Sequence, residues 1–237
     1  MKRIIVLFIF LFLAKCGQSP DKPEGSPAMR SAEPLTDLRD GQMYQTVQIG
    51  DQIWMAENLN YGEPVKDCEQ SDNDIPEKTF YHNDPELNPA FGALYTWNEA
   101  MGWTKKEGAQ GLCPPGWHVP TLAEWEKLGS VLGVDSSGQK LKASKNDSIP
   151  WDGNNVSGFT AIPSGVGYGK YFGRKGHWAV YWTSTESDRG FAWFAQLDGY
   201  WYPQPPKYIK LFLGDYYIKE NAFCIRCIQD KPGNQHK

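Results

Sequence analysis

Thr121-Leu122-Ala123-Glu124-Trp125-Glu126-Lys127-Leu128-Gly129-Ser130-Val131-Leu132-Gly133 reads as a helix with both ends marked. Thr121 and Glu124 form a capping box after Pro120. Leu122, Trp125, Leu128 and Leu132 make one apolar stripe, and Gly133 stops the run. Upstream, Gly92 to Met101 puts Leu94, Trp97 and Met101 on one face and predicts a second helix. Downstream the period changes. Gly158 to Pro163, His177 to Ser184, Phe191 to Leu197, Tyr208 to Leu213 and Ala222 to Gln229 read as strands between turns rich in Gly, Asn and Asp. Before both helices, Met43 to Ile49 alternates, Gly50-Asp51 turns and Gln52 to Met55 resumes, which is a β-hairpin pattern. Tyr61 to Pro89, rich in acids and prolines, reads as a long loop. A hairpin, two helices and a run of strands predict an α+β domain with a mainly antiparallel sheet.

Outward to the N-terminus the chemistry is that of export. Lys2 and Arg3 precede an apolar run from Ile4 to Ala14, and Leu13-Ala14-Lys15-Cys16 follows the order of a lipobox except for Lys15. As a helix that run would be about 16 Å long, short of the roughly 30 Å hydrocarbon core. It is expected to be a signal peptide over residues 1–15, with Cys16 lipidated. The other reading is an ordinary signal in which Cys16 is incidental. From Gly17 to Pro34 the chain is Pro, Ser, Gly and charge, so residues 16–36 are expected to form a flexible tether. One domain over 37–231 and a tail over 232–237 complete the division.

Loss of residues 1–15 removes three cations and no acid, which takes the net charge from −4 to −7. With no basic block, nucleic acid is not an expected partner. Besides Cys16 there are Cys68, Cys113, Cys224 and Cys227, an even number that reads as two disulfides in an oxidising compartment. Phe223-Cys224-Ile225-Arg226-Cys227-Ile228 alternates, so Cys224 and Cys227 should face opposite sides and not pair with each other. No second C-x-x-C completes a zinc site.

The motifs, taken in series, resemble a known family. Asp40-Gly41-Gln42-Met43-Tyr44, Gln52-Ile53-Trp54-Met55-Ala56-Glu57-Asn58-Leu59, Gly92-Ala93-Leu94-Tyr95-Thr96-Trp97 and Cys113-Pro114-Pro115-Gly116-Trp117-His118 occur in the order of the Fibrobacter succinogenes major paralogous domain. Gly158-Phe159-Thr160-Ala161-Ile162-Pro163, Tyr181-Trp182-Thr183-Ser184 and Phe223-Cys224-Ile225-Arg226-Cys227 close the series, so the likeness runs over about 38–230. The resemblance implies a C-type-lectin-like fold in exported proteins and lipoproteins, and no known activity. It also bears on the cysteines. Two cysteine positions of the family are occupied here by Phe80 and Asn88. Cys224 stands where Ser is usual, and Cys68 has no counterpart. The pairing so implied is Cys113 with Cys227 and Cys68 with Cys224, the second bridge the more exposed.

For function, aromatics decide little alone, because Trp54, Trp97, Trp117, Trp125 and Trp182 lie on apolar faces or in motifs and are expected in the core. Two clusters are candidate ligand contacts: Trp151, Asp152, Asn154 and Asn155 on a polar turn, and Tyr200, Trp201 and Tyr202 on a proline-stiffened loop. Asp67, Asp72 and Asp74 could offer oxygens to calcium, but the glycine of an EF-hand turn is missing, and they read as solvated loop acids. The histidines are scattered, and no nucleophile elbow, phosphate loop or dinucleotide fingerprint occurs. No cofactor, metal site or catalytic residue is expected. The expected function is a lipid-anchored binding module of the cell envelope, facing outward or the periplasm, that recognises polysaccharide or glycoconjugate. The alternatives are a protein-binding adhesin or envelope-assembly factor, with an envelope or host protein as partner, and an enzyme by analogy with the formylglycine-generating fold.

Overall fold

The structure, a computed structural model, describes residues 29–199, 210–231 and 233. Strand β1 (Met29–Thr36) lies antiparallel to β2 (Met43–Ile49), which turns at Gly50 into β3 (Gln52–Met55). Gly50 takes φ +62°, a left-handed conformation suited to a tight turn. The acidic excursion that follows carries a short parallel pair, β4 (Glu63–Pro64) with β5 (Glu77–Lys78). Helix α1 (Asn88–Phe91) and helix α2 (Trp97–Ala100) are single turns before β6 (Trp117–His118). Helix α3 (Leu122–Leu132) is followed by α4 (Ser137–Leu141), and then by the hairpin of β7 (Val166–Tyr168) and β8 (Tyr171–Gly173). The long strands β9 (Trp178–Asp188), β10 (Phe191–Asp198) and β11 (Phe212–Ile218) precede β12 (Asn221–Ala222) and β13 (Ile228–Gln229). Among the described residues three antiparallel sheets result, in the orders β1-β2-β3-β13-β6, β11-β10-β9 and β12-β7-β8.

The hairpin and α3 form as the sequence predicts, and the capping box is complete: the Thr121 hydroxyl accepts from Glu124 N while the Glu124 carboxylate accepts from Thr121 N. Other expectations are corrected. The helix expected over 92–101 is one turn, capped by Thr96. Leu94 instead bridges to Thr79, and Tyr95 to Phe223, because extended backbone there meets two distant partners. Gly158 to Pro163 makes no strand; only Ala161 bridges, to Lys142. Of the strand expected over 208–213, residues 208 and 209 lie outside the described residues, and the described strand runs over Phe212–Ile218. Residues 29–36, expected to belong to a flexible tether, form a sheet strand, and residues 1–28 lie outside the described residues. That strand is mostly exposed, so it is held by ladder hydrogen bonds to the free edge of β2 rather than by burial, and its register breaks between Ala32 and Leu35, around Pro34.

Among the described residues two apolar clusters form the core, and the segment 222–228 contributes to both. Phe223, Ile225 and Cys227 belong to the first cluster, with Trp97, Trp117 and Trp182. Ala222, Cys224 and Ile228 belong to the second, with Trp54, Trp125, Phe159 and Tyr181. Alternation along one extended segment therefore feeds two cores, and every residue from Ala222 to Ile228 is buried. The segment is not one strand, because its backbone is shared in turn among Tyr95, Val180 and β3. In the first core the indole of Trp97 donates to Thr183 O at 2.8 Å and that of Trp182 to Tyr95 O at 2.9 Å.

Cys113 and Cys227 form a fully buried disulfide that joins residues 114 apart. The second expected bridge is corrected: Cys68 and Cys224 are free thiols, and both are buried. Each fills a separate niche of the second cluster. Cys68 lies against Gly167, where a Cβ would stand 2.6 Å from its sulfur, while the Cys224 sulfur accepts from Asn58 Nδ2 at 3.3 Å. Burial pushes the thiols up, to about 12 for Cys68 and about 11 for Cys224.

Candidate functional site

The extended segment from Ala222 to Ile228 carries one charge into the core. Arg226 is wholly buried in a run of apolar neighbours. A guanidinium has five N–H donors, and each finds an acceptor. Nε and Nη2 both donate to Asn58 Oδ1, at 3.0 and 2.7 Å. Nη2 also donates to Thr160 O at 3.3 Å, and Nη1 to Met55 O at 3.3 Å and to Phe159 O. The Phe159 ring lies 4.4 Å from the guanidinium carbon. Burial pulls the group below the ordinary arginine value, yet arginine starts so high that it stays charged.

Above this guanidinium opens a cleft of about 200 Å³, walled by Glu57, Asn58, Asp147, Ser148 and Thr160, with Ile149 and Ile162 as apolar patches. Glu57 is fixed by Gln45 N, which donates to Oε2 at 2.6 Å. Asp147 Oδ2 accepts from Ser144 N at 2.5 Å and from Asn155 Nδ2 at 3.2 Å. Glu57 Oε1 and Asp147 Oδ1 accept no hydrogen bond among the described residues. Thr160 holds φ +54°, an outlier for a β-branched side chain. Asn155 braces it: Oδ1 accepts from Thr160 N at 2.9 Å, and Nδ2 donates to Thr160 Oγ1 at 3.0 Å. Strain of this kind gathers where surrounding bonds over-determine a site.

Asn58, Phe159, Thr160 and Arg226 come from three of the sequence motifs that converge here. A family model for the Fibrobacter succinogenes major domain matches residues 47–229. The chain belongs to this family. Neither the curated proteins nor the solved structures hold a significant match to it. In this Fibrobacter succinogenes major domain three of the quoted motifs are thus spatial neighbours: the segment after β3, the turn at 158–160 and the C-terminal segment meet at one guanidinium.

The candidate contacts on the polar turn take different places. Asn155 stands behind the cleft as the brace of Asp147 and Thr160. Trp151 is half-buried against the second core, with Lys142 Nζ 5.2 Å from its ring, and Asp152 pairs with that lysine at 2.8 Å. Asn154 is exposed and its side-chain oxygen accepts from Val156 N. Tyr200, Trp201, Tyr202 and Cys16 lie outside the described residues. Sequence reasoning passed over Glu57, Asn58, Asp147 and Arg226. Arg226 had a signal, a charge inside an alternating apolar run, and so had Asn58 after Met55-Ala56; Asp147 had none.

Other polar groups serve elsewhere. Asp72 and Asp74 line a second cleft of about 170 Å³ beside buried Glu99, whose carboxyl is lifted by burial. Among the described residues no group of three or more His, Cys, Asp or Glu could hold a metal ion. His118 is clasped, with Nδ1 2.6 Å from Asp230 and Nε2 3.0 Å from Glu124. This joins the start of α3 to the end of β13.

Proposed function

We propose that this protein is a binding module of the cell envelope, exported by residues 1–15 and held by lipid on Cys16. On this reading a C-type-lectin-like domain presents the Arg226 cleft to polysaccharide or glycoconjugate. The observation that carries the reading is the cleft's lining: two anchored carboxylates, each with an open oxygen, and the Ser148 hydroxyl, next to Ile149 and Ile162. Sugars present hydroxyl donors beside apolar C–H faces, and such a lining complements both. The charged start of the chain and its short apolar run support export. No described helix is long and apolar enough to cross a membrane.

A glycan array probed with the detergent-solubilised full chain tests the reading. Binding that Glu57→Gln and Ser148→Ala both weaken is expected. Tight binding to an envelope or host protein with no glycan signal would move the assignment to an adhesin or assembly factor. One observation favours the enzymatic alternative as a second reading: Glu57 and Asp147 line the same cleft, and paired carboxylates can cleave glycosidic bonds. Assay of the array ligands for hydrolysis separates the two readings, since a binding module releases no product.

A further inference from the structure

We infer that the cleft sorts glycans by charge, taking amino sugars and neutral sugars and refusing those that carry a carboxylate. The inference rests on the glycan reading above and adds the class of sugar. Arg226 is the one cation in the cleft's described lining, and its five N–H groups are already bound to Asn58, Met55, Phe159 and Thr160. The amide of Asn58 is also engaged, since Nδ2 donates to Phe91 O at 2.9 Å and Ser164 Oγ at 3.0 Å. A carboxylate entering the cleft would therefore find no charged donor free to receive it.

The acceptors, by contrast, are open. Glu57 and Asp147 each keep one oxygen without a partner among the described residues, and the other oxygen of each is fixed by the backbone. Two carboxylates against one guanidinium leave one net negative charge in the lining. A sugar hydroxyl can donate to either open oxygen, and a sugar ammonium does so with charge assistance. A uronic acid brings a like charge instead. The cleft volume of about 200 Å³ falls below the roughly 300–1,000 Å³ of sites for drug-sized ligands. It thus suits one ring, so the charge on that ring decides.

The test is calorimetric titration of the detergent-solubilised full chain with three tetramers: glucosamine, N-acetylglucosamine and galacturonate. The glucosamine tetramer should bind about tenfold more tightly than the N-acetyl form. The galacturonate tetramer should bind at least about tenfold more weakly than the N-acetyl form. Glu57→Gln and Asp147→Asn should each reduce the ammonium preference to about threefold or less, whereas Glu63→Gln, at an exposed acid outside the cleft, should leave it unchanged. Glu57→Gln keeps an amide oxygen for Gln45 N and so preserves the test if Asp147→Asn fails to fold. Galacturonate binding as tight as the neutral tetramer would overturn the inference and leave the glycan reading standing. An ammonium preference that survives both cleft variants, or falls equally in Glu63→Gln, would trace to whole-chain charge and overturn it too. If none of the tetramers binds, and the array is silent as well, the glycan reading itself falls.

Discussion

Arg226 grips Asn58 Oδ1 with two N–H groups, at 3.0 and 2.7 Å, across 168 residues of chain. Arg226 also holds the carbonyls of Met55, Phe159 and Thr160, so one side chain ties together three segments far apart in the chain. Arg226→Met should leave these acceptors buried and unpaired, at a cost of at least about 3 kcal/mol. Arg226→Lys should not restore the loss, because an ammonium offers three donors from a point where the guanidinium offers a planar fork. Urea denaturation of both variants checks this, and wild-type stability in Arg226→Met would remove the guanidinium from its organising role.

Gly92 crowds Asn58, one member of this pair. It takes φ +74°, and a Cβ there would lie 2.5 Å from Asn58 Cβ and 2.9 Å from Asn58 O. Gly92→Ala should therefore cost the roughly 1–2 kcal/mol of a left-handed L-residue and displace Asn58 besides. Gly169→Ala provides the comparison, since φ is +58° with nothing within 4 Å of the added carbon. Melting curves should show Gly92→Ala clearly below Gly169→Ala; equal losses would mean that Asn58 yields without consequence.

The cysteines predict a labelling pattern. Iodoacetamide at pH 8 should modify neither Cys68 nor Cys224 in the folded protein, because both are buried and held as thiols, at about 12 and about 11. In denaturant both should react, while non-reducing peptide maps show Cys113 joined to Cys227. Replacing Cys113 should cost up to about 4–5 kcal/mol in the chain-entropy account of a loop this long. A peptide joining Cys68 to Cys224 would contradict the two separate niches.

His118 predicts a pH dependence. Burial disfavours its charge, but Glu124 and Asp230 outweigh burial and raise its pKa. Its contribution should thus be complete below the unfolded value of about 6.5 and fade as pH rises through the higher folded value. Burial likewise works against the Glu124 charge, but His118 and Thr121 outweigh it and lower that pKa. Its contribution is present above about 4.5 and lost as pH falls through the lower folded value. The gap in melting temperature between wild type and His118→Gln should be widest near pH 5–6 and narrow on either side. A gap that does not change with pH would mean His118 acts as a neutral spacer.

What the sequence determined by itself is local. The hairpin at 43–55 follows from alternation and one turn glycine, and α3 from a capping box and stripe, because those signals act within a few residues. The alternation of 223–228 told correctly that Cys224 and Cys227 face opposite sides, since side-chain direction depends on extended backbone and not on which strand pairs with it. The tertiary structure decided the rest. Leu94 and Tyr95 left a helical pattern because Thr79 and Phe223 offered hydrogen bonds from afar. Residues 29–36 became a strand because β2 had an open edge. The cleft was hidden for the same reason: Glu57, Asp147 and Arg226 are far apart in the chain, and only packing two cores on either side of one extended segment brings them together.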